Sequence, residues 1–178
     1  MVCPRCISAV EKVFNDIHIN PLQVELGEVT LLKELSAEQN KLLKDKLESL
    51  GFELLDDNRA QQIEKIKSTV IRQIHHEAIP KFAFSDLLAS ELNKEYSQLS
   101  KLFSATEGIT IEQFVILQKI EKVKEFLIYN QMNLSEIADK MGYSSVAHLS
   151  SQFKKTIGLT PSQFKAQGGK LRKTLDSL

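Results

Sequence analysis

Residues 99–114 read LSKLFSATEGITIEQF, and residues 149–164 read LSSQFKKTIGLTPSQF. At an offset of 50 residues, Leu99, Ser100, Phe103, Thr106, Gly108, Thr110, Gln113 and Phe114 recur as Leu149, Ser150, Phe153, Thr156, Gly158, Thr160, Gln163 and Phe164. Just upstream the offset is 49, where Leu88, Ala89 and Leu92 are matched by Ile137, Ala138 and Met141. The one-residue difference falls where each copy passes from a short helix to the next. Self-similarity at so many structurally sensible positions marks a duplicated unit.

Each copy reads as a short helix, a turn and a second helix. Ser85 to Leu92 leads through Asn93-Lys94 to Tyr96–Glu107, and Ser135 to Met141 leads through Gly142-Tyr143-Ser144 to Val146–Ile157. The small Ala89 and Ala138 let the two helices of a copy approach closely. Helical spacing puts Tyr96, Leu99 and Phe103 on the buried stripe of one second helix, and Val146, Leu149 and Phe153 on that of the other. The opposite stripes are short and polar: Ser97, Ser100, Lys101 and Ser104, then Ala147, Ser150, Ser151 and Lys154. A helix with such an outer face can enter a major groove. Gln98, Ser144, Ser145, His148 and Lys155 flank these stripes and complete the candidate DNA-contacting set.

The connector supports the same reading. Thr110 to about Asn130 forms one long helix with Phe114, Leu117, Ile120, Val123 and Leu127 inward. Some 20 residues of helix span roughly 30 Å. That is close to a turn of B-DNA, roughly 34 Å, so both second helices could reach successive major grooves. A bundle whose polar faces only meet water would explain either helix pair alone. Duplication, spacing and charge favour the groove.

The charge is unevenly placed. Overall the 178 residues carry 23 basic and 23 acidic side chains, but residues 1–80 hold 10 Lys and Arg against 13 Asp and Glu. Residues 140–178 hold seven basic residues against the single acid Asp176. A basic end beside an acidic front points to a polyanion partner for one half only.

The stretch from Ser135-Glu136-Ile137-Ala138 through Gly142-Tyr143 to Phe153-Lys154-Lys155, Gly158, Thr160-Pro161 and Phe164 resembles the AraC-type DNA-binding domain, over roughly residues 82–167. The resemblance implies an all-α double helix-turn-helix domain over 81–168, double-stranded DNA as partner, and RNA polymerase as a second partner. Lys119 stands where the family commonly has Arg, and Val123 where it commonly has Ala. The groove-facing sets lack Arg, which favours Ser, Lys and shape-dependent contacts over Arg–guanine pairs.

The front segment alternates. Ile7, Val10, Phe14 and Ile17 have helical spacing. Two short strands follow, Leu22–Leu26 and Val29–Leu32, about a turn at Gly27-Glu28. Ser36, with Gln39 three residues on, caps a second helix that ends at Gly51, and Phe52–Leu55 reads as a last strand. Ile63, Ile66, Val70 and Ile74 then define a linker helix over 61–80 that stops at Pro80 and packs on a neighbour or on its twin in a homodimer. Residues 169–178 read as a basic tail.

The chain's two cysteines are Cys3 and Cys6, a Cys-x-x-Cys at a helix start, where the dipole favours thiolate. With Met1, and with the order of elements behind it, the segment 1–60 resembles a heavy-metal-associated domain of the ferredoxin-like βαββαβ type lacking its first strand. The expected architecture is thus a small α+β ferredoxin-like domain followed by the all-α domain. An inner strand cannot be missing without leaving backbone groups unpaired, so the natural start is expected upstream of Met1. The resemblance implies a metal site at Cys3 and Cys6 for Cu(I) or part of a Zn(II) site. A redox pair and a remnant without ligand are equally open.

No apolar run approaches bilayer length and no export signal opens the chain, so no membrane partner and a cytoplasmic location are expected. No nucleophile–base pair or phosphate-cradling loop appears, so catalysis is not expected. The leading expectation is a DNA-binding transcription regulator, with or without a metal signal. Its rival is a metal carrier or thiol protein whose helical half binds a protein partner.

Overall fold

In the computed structural model, residues 1–55, 58–77, 83–130 and 132–167 are described. The Pro80 stop and the basic tail lie outside them. The chain divides into two compact units, Met1–Thr69 and Val70–Leu178.

The first unit is built from α1 (Pro4–Asp16), the strands β1 (Gln23–Glu25) and β2 (Glu28–Thr30), α2 (Ala37–Ser49) and most of α3 (Asn58–Ile71). Pro4 sits in the first turn of α1, where its missing N–H costs no hydrogen bond. Ser36 and Gln39 form the expected reciprocal capping box on α2. Val10, Val13 and Phe14 from α1 and Leu43 and Leu47 from α2 make the core, and Val24 and Val29 of the hairpin pack on it. The strands pair antiparallel, with Gln23 opposite Thr30 and Glu25 opposite Glu28, so the turn is Leu26-Gly27, one residue earlier than the sequence suggests.

This is not a ferredoxin-like sheet: β1 and β2 are the only strands among the described residues. The expected strand Phe52–Leu55 does not form, and its backbone groups show why. The Phe52 N–H donates to the Leu47 carbonyl at 2.9 Å, closing the end of α2. The Leu55 carbonyl accepts from the Gln61 side chain at 2.8 Å. Phe52 and Leu54 instead lend their side chains to the core.

Ile63, Ile66, Val70 and Ile74 are all buried within the single chain, so this stripe is not a free face for a twin. After α3 the helix widens into a π-helical turn, Arg72–His76. The second unit continues with α4 (Phe84–Leu92), α5 (Tyr96–Glu107), α6 (Ile111–Tyr129), α7 (Leu134–Lys140), α8 (Val146–Ile157) and α9 (Pro161–Ala166). Gly108 and Gly158 end α5 and α8 with φ of 72° and 83°, left-handed values that side chains with a Cβ resist. Thr110 with Gln113 and Thr160 with Gln163 then cap α6 and α9. The repeat is therefore a repeat of helix punctuation as well as of core residues.

Helix α6 is the hub. Helices α5, α8, α9 and the π-helical turn all pack on it. It buries Phe114, Ile120, Val123 and Leu127 as the pattern predicts, with Leu117 half-buried, and Ile111 besides. It also buries Phe126, Gln118 and an ion pair between Glu121 and Lys124.

Candidate nucleic-acid interface

Helices α5 and α8 carry the same exposure pattern. Ser97, Gln98 and Lys101 are exposed around buried Leu99 and Phe103, and Ala147, His148 and Ser151 are exposed around buried Leu149 and Phe153. Ser100, Ser104 and Ser150 are half-buried at the edges of these faces, while Lys154 and Lys155 stand fully out at the end of α8. Tyr96 and Val146, expected in the core, are half-buried. The set read from the sequence thus lies on two equivalent helices of one unit, with Ser144 and Ser145 in the turn before α8. Helix α6 joins them with 19 residues, about 28 Å at helical rise.

The turns that aim the two helices differ. In the first copy Asn93 takes a left-handed φ of 53° and Glu95 is the residue before α5, with no side-chain cap. In the second, Gly142 turns the chain at a φ of 69°. Ser145 caps α8 by accepting from the His148 N–H at 3.1 Å. Glu95 occupies the place of Ser145, so an acid sits at the start of one outer helix and a hydroxyl at the start of the other. Aligning the turns at the same offset would have shown this difference.

Each copy is tied down by a polar contact that the pattern alone did not reveal. Tyr96 donates its hydroxyl to Glu112 at the start of α6. Burial and this carboxylate hold the phenol well above its usual range, and the same hydrogen bond draws Glu112 down. In the second copy Lys119 donates to the Met141 carbonyl at 2.9 Å, satisfying the last turn of α7, and its ammonium lies 5.6 Å from the Tyr143 ring centre. Burial lowers the Lys119 pKa and pushes Tyr143 up to about 12. Arg72 reaches α4 through a forked contact to Glu91, at 2.5 and 2.7 Å.

Cys3 and Cys6 belong to the first unit. Their sulfurs lie 3.4 Å apart at the start of α1. Burial alone would raise the Cys6 thiol, but hydrogen bonds from the Val2 backbone and from Cys3 outweigh it and lower its pKa. No cluster of three or more His, Cys, Asp or Glu that could hold a metal occurs among the described residues. Cys3 and Cys6 would supply two of the four donors that a structural Zn(II) site takes. His75 is half-buried, with its Nε2 3.0 Å from Gln118 Oε1, and its neighbour His76 is exposed.

Residues 88–167 match the family model of a helix-turn-helix domain. The chain is 25% identical to the HTH-type transcriptional regulator YtdP of Bacillus subtilis (strain 168), over 92% of this chain and 25% of that protein. It is 35% identical to the transcriptional regulatory protein YesN of the same organism, over 50% of this chain and 24% of that protein. The chain therefore spans about a quarter of the length of these two relatives. A solved regulator with an AraC-type DNA-binding domain, from Chromobacterium violaceum, shares the fold, with a TM-score of 0.52 at 18% identity over 61% of this chain and 96% of that one. Both relatives are named as transcription regulators. Among the described residues no helix is long and apolar enough to cross a membrane.

Proposed function

We propose that this chain is a DNA-binding transcription regulator of the AraC type, which lays α5 and α8 into successive major grooves of one duplex. The observation that carries this is the repeated exposure pattern on the two helices, both packed on α6. Short side chains on the outer faces admit close approach to base edges. Lys101, Lys154 and Lys155 supply contacts to phosphates. The relatives' names and the fold likeness support the same class.

The test is binding of the full chain to duplex DNA over a range of salt. Each phosphate neutralised contributes a slope of about −0.9 in log K against log salt. Lys154→Ala and Lys101→Ala should each weaken binding to all sequences and reduce the slope by about one. Salt-insensitive binding, or none, would favour a thiol or carrier protein whose helical half holds a protein partner.

A further inference from the structure

His148 is exposed on the outer face of α8, yet its ring is held on two sides. Its Nδ1 lies 3.1 Å from the Ser144 hydroxyl. The Tyr143 ring meets it edge-on, with centres 5.3 Å apart and planes at 89°. An exposed side chain is ordinarily free to rotate, and fixing one costs rotamer entropy. Here that cost is met before any partner arrives, by residues of the turn itself.

Resting on the regulator function above, we propose that His148 is a specificity-determining residue that reads a guanine in the major groove through Nε2. In the tautomer whose Nδ1 accepts from the Ser144 hydroxyl, the ring carries its proton on Nε2, which is then a donor. Guanine offers two neighbouring acceptors, O6 and N7, on its major-groove edge. His148 is the third residue of α8, and recognition helices meet base edges with their N-terminal residues. Its neighbours on that part of the face, Ala147 and Ser151, are short and uncharged, whereas Lys154 and Lys155 stand towards the other end. The His148 amide is already taken by Ser145, so that amide is not offered to a phosphate.

The equivalent residue on α5 is Gln98, and its turn holds Asn93 and Lys94 in place of the Tyr and Ser that brace His148. The two halves of the DNA site are therefore not equivalent: the guanine preference belongs to the half read by α8.

The experiment is selection of binding sites from random duplex DNA by the full chain, compared with His148→Ala and Ser144→Ala. Affinities are then measured on the selected site and on a version with that G·C pair replaced by A·T. The wild type should select guanine at one pair in one half-site and lose about tenfold on the replacement, as for a good base contact. His148→Ala should bind the two duplexes within twofold of each other and keep its salt dependence. Ser144→Ala, which removes the hydroxyl at Nδ1, should fall between them in discrimination. Undiminished guanine preference in His148→Ala overturns the proposal, and so does an equal loss on every sequence, which marks a phosphate contact. A wild type that binds DNA with no guanine preference overturns this assignment alone. A wild type that binds no DNA overturns the regulator function as well.

Discussion

Phe153→Ala should destabilise the second unit by about 3–5 kcal/mol, the usual cost of emptying a buried phenyl site. Phe153 is fully buried in α8, and its ring meets Phe164 of α9 edge-on at 5.5 Å between centres. Both helices also pack on α6, so the cavity opens where three helices meet and cannot close by moving one of them. Loss of this contact frees α8 from the face that aims it, and DNA binding should fall with stability. Ser151→Ala, on the exposed side of the same helix, should stay within about 0.5 kcal/mol. Urea denaturation of both variants provides the comparison. A Phe153→Ala cost under about 1 kcal/mol would mean that α8 is not seated as described.

The second large effect is a response to acid at His75. Burial is the main cause that lowers its pKa to about 4, with the Gln118 hydrogen bond acting in the opposite sense and Lys122 adding to the depression. Its Nε2 lies 3.0 Å from Gln118 Oε1, so the neutral ring donates there, while Gln118 Nε2 finds no partner. Because the folded state holds His75 neutral, the unfolded chain binds the extra proton first as pH falls. Stability from this site is therefore intact above pH 6.5 and is lost progressively between about 6.5 and about 4. The depression corresponds to about 3 kcal/mol once pH is below that window. The difference in unfolding free energy between wild type and His75→Gln, measured from pH 7.5 to 4, isolates this contribution. It should shift steadily against the wild type on acidification, and parallel curves would contradict the burial of the ring.

The double helix-turn-helix arrangement was legible because duplication reports on position twice. Leu99 with Leu149, Phe103 with Phe153, and the glycines that end α5 and α8 each fix the same place in two copies. The start of α6 at Thr110 was legible, but the short helix α9 that Thr160 caps was not. Within α6 the pattern gave one apolar stripe and stopped there. Glu121 and Lys124, three residues apart, look like a solvent-facing pair on any helix. They are buried because α6 is covered on several sides, a fact set by neighbours distant in sequence. His75 and Gln118 meet across 43 residues, which no local spacing announces.

The front unit shows the opposite limit. A run such as Phe52–Leu55 is apolar enough for a strand, but a strand exists only where a neighbour offers its backbone. Here the end of α2 and the Gln61 side chain take the Phe52 amide and the Leu55 carbonyl instead. The hairpin is legible in the sequence but its turn is not, because Gly27 can occupy either turn position and only the ladder of Val24 opposite Val29 decides. At the candidate interface, the exposed residues of α5 and α8 followed from periodicity. The bracing of His148 by Ser144 and Tyr143 depended on the path of the turn and did not.

The most direct test of the central claim is a hydroxyl-radical footprint of the full chain on a duplex it selects. Two helices joined by α6 and seated in successive major grooves should protect two patches on one face of the DNA, centred about 10 base pairs apart. A single patch would leave one copy off the DNA and contradict the paired seating, and no protection at all would contradict DNA binding itself.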